Sequence, residues 1–275
     1  MSYASIMVHV DVTGGLGGRV RVAGQLADRF QSHLIGITSW MPRVPFRIEG
    51  VAIDPVLSAE DLAERTRILD RRGHAFRAAV GLDERRVEWR SSQEFPSDYI
   101  AREARAADLL IIGRRPTPDP YIFPDPGELL LRVGRPVLTV PPDVSALNGR
   151  RVLVAWKDTR EARRAVQDAL PFLQRADEIV IAEVCEHSDG VAASLSRLRD
   201  VSLYLAKHRI AAAVSERVRP VDGTAANSLL RLVQEESADL IVAGAYGHTR
   251  LREWVFGGMT QALLAESPVC CLFSH

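Results

Sequence analysis

The residues whose types and spacing most directly suggest chemistry are four glycines near the end of the chain. Gly244 and Gly247 stand three positions apart, and after nine intervening residues comes the pair Gly257 and Gly258. Glycine has no Cβ, so the backbone N–H groups of such a loop approach an anion closely. A helix that starts where the loop ends adds the positive pole of its dipole. The flanking sequence supplies both neighbours: Asp239 to Ala243 reads as a short buried parallel strand, and Met259 to Glu266 has helical composition. Pro268 breaks that helix before a last apolar strand, Val269 to Phe273. Strand, glycine loop and helix start together form a cradle for an anion, with Thr260 as its nearest hydroxyl. A single glycine most often only makes a turn, so it is the ordered set that carries the reading.

Nothing comparable volunteers for catalysis. The chain has no Gly-x-Ser-x-Gly elbow and no His-Glu-x-x-His pair, and no cysteine sits in a nucleophile motif. The glycines from Gly14 to Gly18 lack Gly-x-Gly-x-x-Gly spacing, and no Gly-Lys-Ser/Thr follows them. Asp119, Asp125 and Glu128 are separated by prolines and read as an acidic loop rather than a metal site. His9 falls inside the first strand and reads as a hydrogen-bonded core histidine. His248, Arg250 and Arg252 follow the loop glycines within reach of a phosphate, although a solvated loop is the ordinary state of such residues. The expectation is a protein that is not an enzyme, with no catalytic residue and no metal.

Composition narrows the class further. The 275 residues are 47% hydrophobic and 25% charged, with formal net charge zero, so no global electrostatic attraction draws the chain to nucleic acid or an anionic membrane. No apolar run approaches the roughly 20 residues of a membrane helix. The first residues lack a basic region and reach Asp11 too soon for a secretory signal. Three cysteines make no disulfide framework, and Cys270 and Cys271, adjacent in a strand, point to opposite faces. With Cys185 they read as small buried hydrophobes in a reducing compartment, which predicts a cytoplasmic protein.

The elements that must position the glycine loop repeat along the chain. The pattern from Ala107 to Gly113 returns from Ala238 to Gly244, and Arg135 to Val140 parallels Ser267 to Leu272. Ser5 to Asp11 precedes a helical stretch, as Arg151 to Trp156 does, and each is followed by a second apolar strand. Alternating strands and helices argue for parallel sheets built from crossover units. Each half is read as five strands, beginning near Ser5, His33, Arg86, Asp108 and Pro136, then near Arg151, Glu178, Ala211, Asp239 and Val269. Thr159 is the expected N-cap of the helix after Trp156, with Ala162, Ala165, Val166, Ala169 and Leu170 facing the sheet and Glu161 left to the solvent side. The turn-rich stretch from Pro141 to Gly149 divides the chain into domains at 1–147 and 148–275.

The glycine spacing resembles the nucleotide-binding signature of the universal stress protein family, Gly-x2-Gly-x9-Gly followed by Ser or Thr. Gly244, Gly247 and Gly257 match it in register, whereas Gly258 stands where the hydroxyl belongs. The resemblance runs more weakly over both halves. It implies two tandem flavodoxin-like, Rossmann-like α/β domains, each an open five-stranded parallel sheet with helices on both faces. It also implies that the last strands of the two halves pair antiparallel across a pseudo-two-fold. The two sheets are expected to stay distinct rather than run together as one. The resemblance further implies an intramolecular pseudo-dimer open to homodimerisation, a nucleotide-binding or regulatory role in stress response, and ATP or a related adenine nucleotide as ligand. Family members carry an aspartate just after the first strand; the second half has Lys157 there, a residue able to contact phosphate.

The first half shows the reverse. Asp11 occupies the aspartate position, but Pro116 and Pro126 replace the second and third glycines after Gly113, and proline has no N–H to donate. Nucleotide is therefore expected only in the second half, around Gly244, Gly247, Gly257, Gly258, Thr260 and Lys157. Two rivals remain at the level of sequence. One is an ATP-dependent enzyme of the same broad α/β group, which would need a pyrophosphate loop near a first strand that neither half has. The other is an interaction scaffold whose sites have decayed.

Overall fold

Runs of valine, isoleucine and leucine only four to eight residues long alternate with helices that carry the chain back, so neighbouring strands lie parallel. The structure, a computed structural model, describes residues 2–42, 58–114, 119–185, 191–247 and 258–275. The first half contributes β1 (Ser5–His9), α1 (Gly17–Phe30), β2 (His33–Ser39), α2 (Ala59–Val80), β3 (Val87–Ser92), α3 (Pro96–Glu103), β4 (Leu109–Gly113), α4 (Pro126–Arg132) and β5 (Val137–Val140). The second contributes β6 (Arg151–Ala155), α5 (Arg160–Asp168), α6 (Leu170–Leu173), β7 (Glu178–Cys185), α7 (Val191–Lys207), β8 (Ala213–Pro220), α8 (Ala225–Glu235), β9 (Leu240–Gly244), α9 (Met259–Glu266) and β10 (Cys270–Ser274). The third strand of each half is present, as β3 and β8.

The strand order is β3-β2-β1-β4-β5-β10-β9-β6-β7-β8, palindromic about its centre. Each half is an open five-stranded parallel sheet of flavodoxin-like type with helices on both faces. At the centre Val137, Leu138 and Thr139 pair antiparallel with Phe273, Leu272 and Cys271. The pairing covers two sheet edges that would otherwise be exposed. It also corrects the expectation of two distinct sheets, because hydrogen-bonding the last strands to each other fuses the halves into one ten-stranded sheet.

Two further contacts join the halves on one face of the sheet. The rings of Tyr3 and Phe30 stack edge-to-face 5.2 Å apart, and Phe172 of α6 meets Phe30 at 5.2 Å and Tyr3 at 5.8 Å. The Tyr3 hydroxyl donates to the Asp168 carbonyl at 2.6 Å. The connecting segment packs along α1: a Cβ on Gly18 would stand 2.0 Å from the Val144 carbonyl oxygen, and Arg29 donates to the Asn148 carbonyl. Leu147 between them is buried. The stretch that reads in sequence as a turn-rich connector is thus a packed strap across the first helix. Cys270 and Cys271 do face opposite layers of the core.

Candidate functional site

Strand order reverses between β1 and β4 in the first half and between β6 and β9 in the second. Chains leaving neighbouring strand ends at such a point turn to opposite faces and open a crevice beyond the strand C-termini. Val152 to Ala155 of β6 lie beside Leu240 to Ala243 of β9. Lys157 therefore emerges beside the loop that begins at Gly244. Lys157 is exposed, and its carbonyl accepts from the Thr159 N–H in the turn that starts α5. Gly258 is the N-cap of α9 and makes no side-chain cap there, and Thr260 is buried in that helix's first turn. Gly257 and the residues from His248 to Phe256 lie outside the described residues.

Gly244 and Gly247 are brought against the start of α5. A Cβ on Gly244 would stand 2.5 Å from the Ala162 nitrogen, and one on Gly247 would stand 3.2 Å from the Thr159 hydroxyl. Glycine is thus required at 244 by the approach of helix to strand, whatever else the loop does. Two amides of the loop already have acceptors: Ala245 N–H donates to the Ser274 carbonyl at 2.8 Å, and Tyr246 N–H to the Thr260 hydroxyl at 3.2 Å. Thr260 ties the loop to α9 through that bond. Tyr246 sits in left-handed backbone, φ 54°, and its hydroxyl accepts from the Gln261 side chain at 2.8 Å. A Cβ on Gly127, across the junction in α4, would stand 2.6 Å from that hydroxyl, so a glycine of the first half makes room for a residue of the second.

Thr159 caps α5 as expected, accepting from the Ala162 N–H at 3.3 Å, and Ala162, Ala165, Val166, Ala169 and Leu170 are buried. Glu161 is the correction. It is buried, not solvent-facing, and its carboxylate lies against Gly247. Burial works to raise its pKa, but hydrogen bonds from Arg160, from its own backbone N–H and from Thr159 outweigh that and hold it below the usual carboxylate range. The helical spacing carried the signal: Glu161 precedes Ala165 by four positions and so shares its buried stripe.

The first-half crevice is built differently. Arg19 of α1 donates to the His9 carbonyl at 2.7 Å and to the Asp11 carboxylate at 2.8 Å. Its guanidinium fills the space over Gly113, where a Cβ would stand 1.8 Å from Nη1. Arg72 holds the Asp11 carbonyl. The groove between Gly17, Arg19, Arg114 and Pro141 is therefore bordered by an aspartate already paired with an arginine. Arg114 spans the junction, donating to the Ser267 carbonyl at 2.7 Å. Pro126 is the first residue of α4, where a missing N–H costs nothing, and Pro116 lies outside the described residues.

The acidic loop has structural duties. Asp125 caps α4, Glu128 pairs with Arg132 one turn on, and Asp119 accepts from the Tyr121 N–H. Among the described residues no group of three or more His, Cys, Asp or Glu is placed to hold a metal ion. Among the same residues no helix is long and apolar enough to cross a membrane.

Residues 149–274 match the model of the universal stress protein family. Over 98% of this chain and 95% of the other, the structure superposes on a universal stress protein from Archaeoglobus fulgidus DSM 4304 with TM-score 0.70 and 16% identity. Two Pseudomonas aeruginosa proteins match 98% of this chain over 92% of their own at 18% identity. One, of unknown function from strain PAO1, has TM-score 0.58, and one from strain UCBPP-PA14 has 0.62. At these identities the likeness speaks to the fold of the full two-half chain. No curated protein matches the chain by sequence.

Proposed function

We propose that this chain, whose residues 149–274 match the universal stress protein family, acts by reversible binding of an adenine nucleotide, ATP or a relative, in a regulatory role in stress response. The site is the second-half switch point. Gly244, Gly247, Gly257, Gly258 and Thr260 surround the phosphates, and Lys157 contributes charge from the end of β6. The observation that carries the reading is the convergence at one crevice of the β6 end, the β9 glycine loop and the uncapped start of α9. Domain limits at 1–147 and 148–275 follow from the same reading, with the first half serving as a fixed partner that binds no nucleotide.

Affinity is low. Two loop amides are satisfied within the protein, and Gly258 offers no hydroxyl. Losing one hydrogen bond to a charged group forfeits roughly 1.5–3 kcal/mol, about ten- to a hundredfold in affinity. Turnover is not part of the role, since donors without a positioned base or nucleophile do not prepare a reacting group. Calorimetric titration of ATP into the full chain tests the proposal. Binding should be lost in Gly247→Val and kept in Gly113→Val of the first half; the opposite pattern refutes it.

A further inference from the structure

Among the described residues, the side chain nearest Gly244 and Gly247 does not attract phosphate. Glu161 runs from one loop glycine to the other: a Cβ on Gly244 would stand 2.9 Å from the Cβ of Glu161, and one on Gly247 would stand 3.0 Å from its Oε2. The side chain is 4% exposed. Its carboxylate is held in place by Arg160 Nε, its own backbone N–H and the Thr159 hydroxyl. Arg160 itself is largely exposed, with 81% of its side chain open to solvent. A carboxylate is an oxyanion of nearly the size of a phosphate face, and here it is ionised and buried against two of the glycines on which the proposed phosphate site draws.

We infer that Glu161 is an internal anion that competes with phosphate for the second-half loop, setting the protein's affinity for nucleotide. The inference rests on the reading of that loop as a nucleotide site. A phosphate can share the crevice only at the cost of like-charge repulsion at close range, or by displacing the carboxylate toward solvent together with Arg160. The acid also favours the start of α5 through the helix dipole, so a purely structural role must be separated from a competing one. Charge separates them. Glutamine keeps the shape and the acceptor oxygen and removes only the repulsion.

The experiment is calorimetric titration of ATP and, separately, adenosine into the full chain, as wild type, Glu161→Gln and Glu161→Ala, with thermal melting to confirm folding. Both variants should bind ATP about tenfold or more tightly than wild type, with adenosine unchanged because it carries no phosphate. ATP binding by the variants where wild type shows none supports the inference as well. Wild type that binds ATP as tightly as the variants overturns it while leaving the nucleotide site standing, and so does an equal gain for adenosine. Absence of ATP binding by all three overturns both the inference and the reading beneath it.

Discussion

Removing Phe172 should unsettle both halves of the molecule at once. Its ring is 2% exposed and touches Tyr3 and Phe30, which belong to the other half. Phe172→Ala empties the centre of that three-ring cluster. A buried Phe→Ala change costs roughly 3–5 kcal/mol, a large share of the about 5–15 kcal/mol by which a folded protein is stable. With a urea dependence of about 3 kcal/mol per M, the unfolding midpoint should fall by roughly 1–1.7 M. Circular dichroism in urea reads the shift, and amide hydrogen exchange locates it. Because the cluster bridges the halves, exchange should rise in β1 as well as in β6. A midpoint shift below about 0.3 M would refute the reasoning, as would faster exchange confined to residues 151–275.

Gly18→Ala should destabilise, by roughly 1–3 kcal/mol, although alanine ordinarily favours a helix over glycine. The new methyl would meet the Val144 carbonyl at 2.0 Å, so the strap must shift; a melting temperature equal to or above wild type contradicts this. Of the three free thiols, only Cys185 is partly exposed, and burial pushes Cys270 and Cys271 up to about 12. Ellman's reagent at pH 8 should find one reactive thiol in native protein, lost in Cys185→Ser; a second fast equivalent refutes it. The buried thiols favour folding while neutral, so their contribution holds below the ordinary thiol pKa of 9 and fades as pH climbs from 9 toward 12. Stability measured across that window should decline.

What the sequence made legible were features written in local pattern. The repeated Ala-Asp-Leu strand signals located β4 and β9, and the Pro-Val signals located β5 and β10; the antiparallel pairing of those last strands was implied only by the family resemblance. Thr159 was readable as a cap because its hydroxyl serves an amide three residues on. Long-range packing was not legible. Nothing local says that Gly18 lies under Val144, that Gly127 makes room for Tyr246, or that Arg19 fills the space above Gly113. Glu161 reads as solvent-facing from its charge, yet at a helix start beside a glycine strand a carboxylate is buried with its hydrogen bonds made. Fusion of the sheets follows from geometry alone, since pairing two edge strands leaves no boundary between them.

The most direct test of the central claim is amide hydrogen exchange of the full chain with and without saturating ATP. Binding at the second-half switch point predicts protection at the end of β6 and start of α5, from Trp156 to Ala162, and in β9 and its loop, from Leu240 to Gly247. The matching first-half segments, from His9 to Arg19 and from Leu109 to Arg114, should be unchanged. Protection of the first-half segments instead, or none in either half at ATP concentrations that saturate the calorimetric signal, would contradict the account.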